Sequence, residues 1–345
     1  MLSRVTPSPD QPAASERRVA VLTHLGRREA VETAAVLIER LAAAGITAVV
    51  PEADVDILAA ELTTATVVGA SPEQLAAPGS DVELMLVLGG DGTILRGAEK
   101  VITSDTPLLG VNLGHVGFLA EAEAADIDSI VDHVAHRTYT VEERFTIDVT
   151  LRERGEVIWR SFAVNEVSIE KAARERMLEV AVEVDDRPLS RWACDGVLVA
   201  TPTGSTAYAF SAGGPVLWPE LDALLLVPLS AHALFARPLV LGPNSVITVE
   251  LIHASPVHGV VWCDGSRSAE LRTGMEIEIG RGRHRLRLAR LSQSPFTNRL
   301  VNKFQLPVEG WRGNAERDRR RTPTDAVPEP GPTGPRPIDP EPTGA

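Results

Sequence analysis

A short glycine-rich segment carries the clearest chemical signal in the sequence. One acid stands among glycines and a threonine there: Gly89, Gly90, Asp91, Gly92 and Thr93. The glycines let the backbone turn sharply and approach a ligand closely, and backbone N–H groups at such a turn favour a phosphate. A carboxylate beside a phosphate is costly unless it binds a metal or accepts a proton from an attacking hydroxyl. This GGDGT loop (residues 89–93) therefore predicts a phosphate site with Asp91 as its reactive acid; the alternative is a tight turn with Asp91 capping a helix.

Other familiar motifs are absent from the sequence. It has neither GxxxxGK[ST] nor GxGxxG, so the GGDGT loop must explain the predicted phosphate site on its own. Arg96 follows Gly92 by about one helical turn, and either faces the same phosphates or lies on the protein surface. HExxH, CxxC and GxSxG are also missing, so the metalloprotease, dithiol redox and α/β-hydrolase classes lose their usual support.

A second segment, residues 201–215 (TPTGSTAYAFSAGGP), is rich in hydroxyl side chains. We call it the hydroxyl-rich segment. Gly204 permits a turn, the Ser-Thr pair after it is expected to cap a short helix starting near Thr206, and the closing Gly-Gly-Pro ends that helix. The amides and hydroxyls offer many hydrogen bonds to a flat polar ligand. The alternative is a loop built from Ser and Thr turns.

Four further side chains are candidates for the same site. Asn165 and Glu166 adjoin each other after a strand-like run, and an amide beside a carboxylate can bind an adenine edge and a ribose diol respectively. As an isolated pair they are also typical of a protein surface. Asp195 is either a ligand acceptor or the acid of an Asp-Gly turn. His115 is either a cleft residue or an ordinary loop histidine.

The elements around the GGDGT loop predict an α/β domain with a mostly parallel sheet over residues 18–138. Strands are predicted at RVAVLTHL, ITAVVP, DVELMLVL and PLLGVN, and helices at residues 27–44 and 93–102. DVELMLVL is apolar on both faces, as in a central parallel strand. Because ligands bind beyond the carboxyl ends of such strands, the GGDGT loop stands where a site is expected.

The remainder of the chain has a different pattern of predicted elements. Strand-like runs with few helices predict a β-rich, sandwich-like domain over residues 139–295. The run PFTNRLVNKF predicts a helical segment, residues 296–313, that packs back on the first domain. Residues 1–17 and 314–345 are polar and rich in proline, so both are predicted to be disordered.

Composition excludes several classes of protein. The 345 residues carry a net charge of −13, which argues against a general binder of nucleic acid or anionic membranes. Two cysteines, Cys194 and Cys263, are too few for a disulfide framework or a zinc site. Residues 1–18 lack the apolar core of a signal peptide, and no apolar run reaches the ~20 residues of a membrane span. A cytoplasmic location is therefore predicted.

Taken together, these motifs make the sequence resemble the NAD kinase family over roughly residues 18–312. The resemblance rests on the GGDGT loop, NLGHVG (residues 112–117), the Asn165-Glu166 pair, Asp195 with its following glycine and the hydroxyl-rich segment; it continues through RPL (residues 237–239) and NRLVNKF. It implies an α/β domain and a domain of stacked β-sheets, with the active site in the cleft between them. It also implies ATP-dependent phosphorylation of the 2′-hydroxyl on the adenosine ribose of NAD, giving NADP.

The resemblance also implies roles for individual residues. Asp91 would accept the proton of the 2′-hydroxyl, with Gly92 beside it in the NAD site. A larger set would contact the dinucleotide: Arg96, Asn165, Glu166, Arg176, Asp195, Thr206, Ala207, Tyr208, Ala209, Phe210 and Ser211. A homodimer or homotetramer is implied, in which Asp195 reaches the ligand of a neighbouring subunit. Ser266 departs from relatives that carry glutamine there, so that contact is not carried over.

The expected mechanism is phosphoryl transfer by positioning and charge neutralisation. The GGDGT loop would hold the phosphates of ATP, Mg²⁺ would bridge their oxygens, and the second domain would hold NAD. One alternative is a lipid kinase that shares GGDGT but needs a pocket for acyl chains; another is a non-catalytic sensor of NAD(H) or NADP(H), which needs no base. The sequence leaves open whether polyphosphate replaces ATP and whether NADH is accepted.

Overall fold

The computed structural model describes residues 16–114, 117–172, 176–252, 258–292 and 295–308. The segments predicted to be disordered, residues 1–17 and 314–345, lie outside these ranges except for Glu16 and Arg17, and Arg17 begins the first strand. His115 also lies outside the described residues. Within the described part of the chain, no helix combines the length and the apolar composition that a membrane crossing requires.

The first lobe is built on one mixed sheet. In chain order its elements are β1 (Arg17–Thr23), α1 (Arg28–Ala43), β2 (Ile46–Pro51), α2 (Val55–Ala59), β3 (Val67–Ala70), α3 (Pro72–Ala76), β4 (Val82–Leu88), α4 (Asp91–Val101), β5 (Leu108–Asn112), β6 (Ala120–Glu123), α5 (Ile127–His136) and β7 (Thr140–Arg144). Two elements return to this lobe from the end of the chain: β20 (Leu286–Arg290) and α7 (Phe296–Phe304).

The strand order of this sheet creates a crevice. The order is β3-β2-β1-β4-β5-β20-β7, with β6 pairing β5, and the pairs from β3 through to β5 are all parallel. The chain leaves β1 toward β2 on one side and reaches β4 on the other, so the direction of winding reverses between β1 and β4. Ligands of such sheets bind outside the carboxyl ends of the strands at this reversal.

Helices cover both faces of the sheet. α1 places Leu37, Ile38 and Leu41 against one face, at the spacing that keeps side chains on one side of a helix. On the other face α4 buries Ile94 and Ala98 against the core. The helix that starts at the GGDGT loop is thereby fixed by apolar packing.

The second lobe consists of two stacked six-stranded sheets. In chain order its elements are β8 (Ile147–Glu153), β9 (Glu156–Ala163), β10 (Glu166–Lys171), β11 (Leu178–Val184), β12 (Arg187–Cys194), β13 (Gly196–Ala200), a 3₁₀ turn (Thr203–Thr206), α6 (Tyr208–Ser211), β14 (Leu224–Leu229), β15 (Leu239–Leu241), β16 (Ile247–Leu251), β17 (Gly259–Cys263), β18 (Arg267–Leu271) and β19 (Met275–Arg281). The sheet orders are β15-β14-β13-β10-β17-β18 and β12-β11-β16-β19-β8-β9, with antiparallel neighbours throughout. Their inner faces share one apolar core that includes Trp192.

The elements differ from the sequence prediction in several places, and α2, β3, α3 and β6 were not predicted. Strands β7 and β20 lie inside residues 139–295, yet they pair with each other and join the sheet of the first lobe. Alternating apolar residues mark a strand but not the sheet it joins, so sequence could not assign them. Helix α5 was not predicted, and α4 starts at Asp91, two residues before the predicted position.

The two lobes share part of their apolar packing. Val164, which follows β9, is fully buried in the cluster of the first lobe that also contains Ile94 and Leu119. Phe162 packs against the same cluster. The turn that carries Asn165 and Glu166 is therefore anchored against α4.

Candidate functional site

The GGDGT loop leaves β4 and enters α4 within a few residues. A Cβ added at Gly89 would lie 2.6 Å from Oγ1 of Thr93, closer than real contacts allow, so a glycine is required there. Thr93 itself is buried and donates its N–H to the Gly90 carbonyl at 2.9 Å. α4 begins at Asp91, and the first N–H groups of a helix have no partner within that helix. Those groups and the helix dipole favour an anion at this end of α4.

Two adjoining cavities open at this loop. One, of about 530 Å³, lies at the predicted crevice and is lined by His24, Arg27, Gly89, Gly90, Gly92, Thr93, Arg96, Asn112, Leu113 and Gly114. The other, of about 750 Å³, shares His24, Thr93 and Arg96 with it and extends to Lys100. Arg27, Arg96 and Lys100 line the two cavities and suit a ligand with several phosphates, while Glu52 and Asp54 add negative charge to the far part of the larger cavity.

Asp91 is held firmly beside the loop. Its carboxylate accepts N–H bonds from Phe118 and Leu119, each at 3.1 Å, and a Cβ on Gly117 would collide with it. The side chain is half-buried. It therefore faces the chain segment after β5, beside the cavity that Gly90 and Gly92 line.

The Asn165-Glu166 turn is organised by an acid that sequence reasoning left unassigned. The buried carboxylate of Asp264 accepts N–H bonds from Val164 at 2.9 Å and from Asn165 at 2.7 Å, with a longer one from Glu166 at 3.3 Å. Arg267 binds the same carboxylate at 2.8 Å. The sequence does not reveal this role of Asp264, because the turn that it binds lies about a hundred residues away in the chain.

The hydroxyl-rich segment packs on the same turn. Thr201 donates its N–H to the Asn165 carbonyl at 2.9 Å and its hydroxyl to the Val164 carbonyl at 2.6 Å. A Cβ on Gly204 would collide with Asn165, so the glycine lets the two backbones touch. Besides its predicted role as a turn residue, Gly204 therefore allows the backbone of this segment to approach the backbone of Asn165 closely.

Most hydroxyls of this segment serve the fold. Ser205 donates to the Pro202 carbonyl at 2.7 Å and accepts the Leu217 N–H at 2.8 Å, and Thr206 donates to the Thr203 carbonyl at 3.2 Å. The prediction that the Ser-Thr pair caps a helix from Thr206 is wrong: the segment forms a 3₁₀ turn, and α6 starts at Tyr208 after an uncapped Ala207. Backbone carbonyls close by in the chain compete for these hydroxyls, as is common for serine and threonine.

Glu166 is a strongly perturbed acid of the site. Its Oε2 is buried without a hydrogen-bond partner among the described residues, and the Tyr208 backbone N–H binds the carboxylate. Burial, and then the charge of nearby Asp264, raise the pKa of Glu166 to about 8. An unpartnered buried oxygen is costly, so this carboxyl is suited to a ligand hydroxyl.

Asp195 shares a cavity with part of α6. The cavity, of about 530 Å³, is lined by Glu170, Lys171, Asp195, Tyr208, Ser211, Ala212, Pro228, Leu229 and Ser230. Lys171 binds the carboxylate of Asp195 through a hydrogen bond and ion pair, which lowers the pKa of that acid below its usual range. Asp195 thus stands with Tyr208 and Ser211 around one space, a position that is compatible with its predicted role as a ligand acceptor.

Helix α7 connects the two lobes at the site. Phe304 stacks on Phe210 with ring centroids 4.6 Å apart and contacts Phe118 at 5.8 Å. Arg299 holds the helix to the first lobe, through the Phe118 carbonyl at 3.1 Å and the buried Glu121 at 2.6 Å. Because Phe118 also binds Asp91, α7 links the acid of the GGDGT loop to the hydroxyl-rich segment.

The remaining candidates take different positions. Ala209 is fully buried, whereas Tyr208 and Phe210 are 40% and 42% exposed and form the open face of α6. Arg176 is exposed just before β11, and no hydrogen bond or ion pair of the described residues joins it to the other candidates.

Two family models and several relatives match this chain over most of its length. The family model described as ATP-NAD kinase N-terminal domain matches residues 19–139, and that of the ATP-NAD kinase C-terminal domain matches residues 164–291. NAD kinase 2 of Streptomyces avermitilis is 52% identical over 297 residues, covering 86% of this chain and 97% of its own. NAD kinase of Thermobifida fusca is 53% identical over 315 residues, covering 88% and 94%.

Solved structures share the fold. A yeast NADH kinase complexed with NADH superposes with a TM-score of 0.76 at 21% identity, covering 85% of this chain and 88% of the other. An NAD kinase from Archaeoglobus fulgidus in complex with ATP gives a TM-score of 0.62 at 27% identity, covering 84% and 98%.

Fold and site together define a two-lobed phosphotransferase with a glycine-rich phosphate loop. Given the matched models and relatives, the chain belongs to the NAD kinase family. The predictions of family, fold class and NAD kinase activity are confirmed by these matches, over the alternatives of a lipid kinase and a sensor.

Proposed function

We propose that this chain transfers the γ-phosphate of ATP to the 2′-hydroxyl on the adenosine ribose of NAD, forming NADP. The position of Asp91 carries this proposal. Asp91 begins α4 beside the cavity proposed for phosphate and accepts the backbone N–H of Phe118. The ring of Phe118 contacts Phe304, and Phe304 stacks on Phe210 of the hydroxyl-rich segment. An acid placed between a phosphate site and a polar second site is what phosphoryl transfer to a hydroxyl needs.

The donor half of the site is the GGDGT loop with its cations. Backbone N–H groups at the start of α4, with Arg27, Arg96 and Lys100 around the two cavities, would hold the phosphates of ATP. The described residues contain no cluster of three acidic, histidine or cysteine side chains able to hold a metal ion. The donor set thus fits a Mg²⁺ carried mainly by phosphate oxygens and water, which would neutralise charge on the transferring phosphoryl group.

The acceptor half is the turn and segment of the second lobe. Glu166, with its free buried oxygen, would accept a hydrogen bond from a ribose hydroxyl, and Asn165 would bind an adenine edge. The exposed rings of Tyr208 and Phe210 offer stacking surfaces. The contacts proposed for Arg96, Arg176, Thr206, Ala207, Ala209 and Ser211 rest on the family resemblance.

Asp91 would then act on the 2′-hydroxyl. Its two N–H bonds fix the direction of the carboxylate, so it is oriented before substrate arrives. A carboxylate is a weak base for an alcohol, so Asp91 would mainly orient the hydroxyl and take its proton late in the transfer.

We also propose a homodimer or homotetramer. Leu234 and Phe235 are exposed large apolar side chains, and neighbouring His232 pairs with Ala193, two residues before Asp195. An apolar surface beside the Asp195 cavity suits a second copy of the chain. Cytoplasmic location and dependence on Mg²⁺ stay predictions.

The test is NADP formation by the purified chain. NAD or NADH is offered with ATP or polyphosphate as donor, with and without Mg²⁺, and NADP(H) is measured enzymatically. We expect NADP from NAD, ATP and Mg²⁺. Binding of NAD and ATP without any NADP would instead favour a sensor, and phosphorylation of a lipid in place of NAD would favour a lipid kinase.

A further inference from the structure

Arg267, the first residue of β18, uses its whole guanidinium group. Nε donates to Glu99 at 2.8 Å, Nη1 to the Phe162 carbonyl at 2.8 Å and to Ser161 at 3.2 Å, and Nη2 to Asp264 at 2.8 Å. The guanidinium carbon lies 4.0 Å from the centroid of the Phe162 ring. A planar fork with this many partners fixes its neighbours relative to each other.

One partner belongs to the helix of the reactive acid. Glu99 lies on α4, eight residues after Asp91, which is about 12 Å along the helix axis. It also accepts a bond from Ser266 at 2.6 Å. The Arg267–Glu99 contact is thus a polar link between α4 and the second lobe.

The other partner controls the acceptor turn. Asp264 binds the backbone N–H groups of residues 164–166, and its side chain is almost fully buried. Arg267 supplies the opposite charge that such a buried acid requires. The same guanidinium therefore touches both the helix of Asp91 and the acid that shapes the Asn165-Glu166 turn.

We infer that Arg267 is a positioning residue that sets the distance and angle between Asp91 and the bound acceptor, with Glu99 as its anchor on α4. This inference rests on the proposed function. Phosphoryl transfer depends on in-line geometry, so a small rotation of α4 against the acceptor turn lowers the rate even when both substrates still bind.

The link to α4 can be cut without touching the acceptor turn. Glu99→Ala removes the anchor on a partly exposed helix position and leaves Arg267 paired with Asp264. We expect kcat to fall about 10-fold, with the KM values for NAD and ATP within about twofold of wild type. Glu99→Gln retains an acceptor oxygen and should restore most of kcat. Glu32→Ala, which removes the acid of an exposed ion pair on α1, is the matched control and should change nothing.

Arg267→Lys tests the contact of Arg267 with Asp264, the acid that holds the Asn165-Glu166 turn. A lysine keeps the charge but loses the fork, so we expect the KM for NAD to rise about 10-fold in addition to the loss of kcat, while the KM for ATP stays. In the double variant with Glu99→Ala, kcat should fall by less than the product of the two single losses, because both changes break the Arg267–Glu99 contact while only Glu99→Ala also removes the Ser266–Glu99 bond.

Three results would overturn the inference. They are a Glu99→Ala enzyme with wild-type kcat, equal loss in Glu99→Ala and Glu32→Ala, or full additivity in the double variant. A kcat loss matched by a reduced fraction of folded enzyme, measured by thermal unfolding, would show a structural role only. Absence of NADP formation by the wild-type chain would overturn the proposed function itself, and this inference with it.

Discussion

The two acids of the site stand in opposite environments. Asp91 and Glu166 are both partly exposed residues. Both oxygens of Asp91 already accept N–H bonds, whereas Oε2 of Glu166 is buried without a partner among the described residues and burial raises the pKa of this acid to about 8. The first acid is satisfied without a ligand, and the second is satisfied only when a ligand hydroxyl arrives. Under the proposed function this difference would be a division of labour, in which the first lobe supplies a prepared reactive group and the second lobe supplies recognition.

The largest effect on kcat should come from Asp91, whose oxygens already accept two N–H bonds. Asp91→Asn keeps the size of the side chain but removes the proton acceptor, so we expect kcat to fall at least ~10²-fold, since a positioned base contributes ~10²–10⁴. Steady-state NADP formation measures it, with NAD affinity by calorimetry as the companion value. Near-wild-type kcat in this variant would remove Asp91 from its role.

The recognition acid should affect binding instead. Glu166→Gln replaces one carboxyl oxygen with an NH₂ group, which donates but cannot accept a hydrogen bond from the ribose hydroxyl, so we expect NAD affinity to fall about 10–100-fold and ATP affinity to stay. Isothermal titration with each nucleotide measures this. Equal weakening of both nucleotides would contradict the assignment of Glu166 to the acceptor site.

The same variant should change the dependence of stability on pH. The pKa of Glu166 rises from 4.5 in the unfolded chain to about 8 in the fold. Between these values the unfolded chain releases a proton that the folded chain keeps, so stability falls as pH rises through this window. Glu166→Gln should remove that loss, and its advantage over wild type at pH 8 relative to pH 5 should be on the order of 3 kcal/mol, measured by urea unfolding without nucleotide.

The hydroxyl-rich segment shows a second contrast, between side chains that face a ligand and those that hold the loop. Ser205→Ala leaves the Leu217 N–H without its acceptor, so we expect unfolding free energy to fall by about 1–2 kcal/mol while the KM for NAD stays. Thermal and urea unfolding measure it, with Ser211→Ala, an exposed position, as the control. A large rise in KM without loss of stability would mean that Ser205 faces the ligand after all.

These contrasts explain how much sequence could predict. The glycines of the GGDGT loop indicate a sharp turn and a close backbone approach, which can be inferred without the tertiary structure. The loop and its strand were therefore predicted, and the start of its helix to within two residues. Hydroxyl side chains carry less information, because Ser205 and Thr206 bind carbonyls only three residues earlier in the chain, and the same residue types could equally face a ligand. Asp264 was missed for a different reason: its backbone partners lie about 100 residues away in the chain. The alternation of apolar and polar residues also could not show which sheet β7 and β20 join.

The smallest effect concerns α7, which was predicted as a helix packing on the first lobe but contacts both lobes. Phe304→Ala removes the ring that lies on Phe210 and against Phe118, and aromatic pairs contribute about 0.5–1.5 kcal/mol. We expect NAD affinity to fall about 2–10-fold, because Phe210 loses its support, with the ATP affinity unchanged. Phe296→Ala is the matched control on the same helix: it contacts Phe118 and Trp218, so NAD affinity should change less. An equal change in both variants would mean that α7 acts only by holding the first lobe together, and the contrast between a prepared lobe and a recognising lobe would then lose its connecting element.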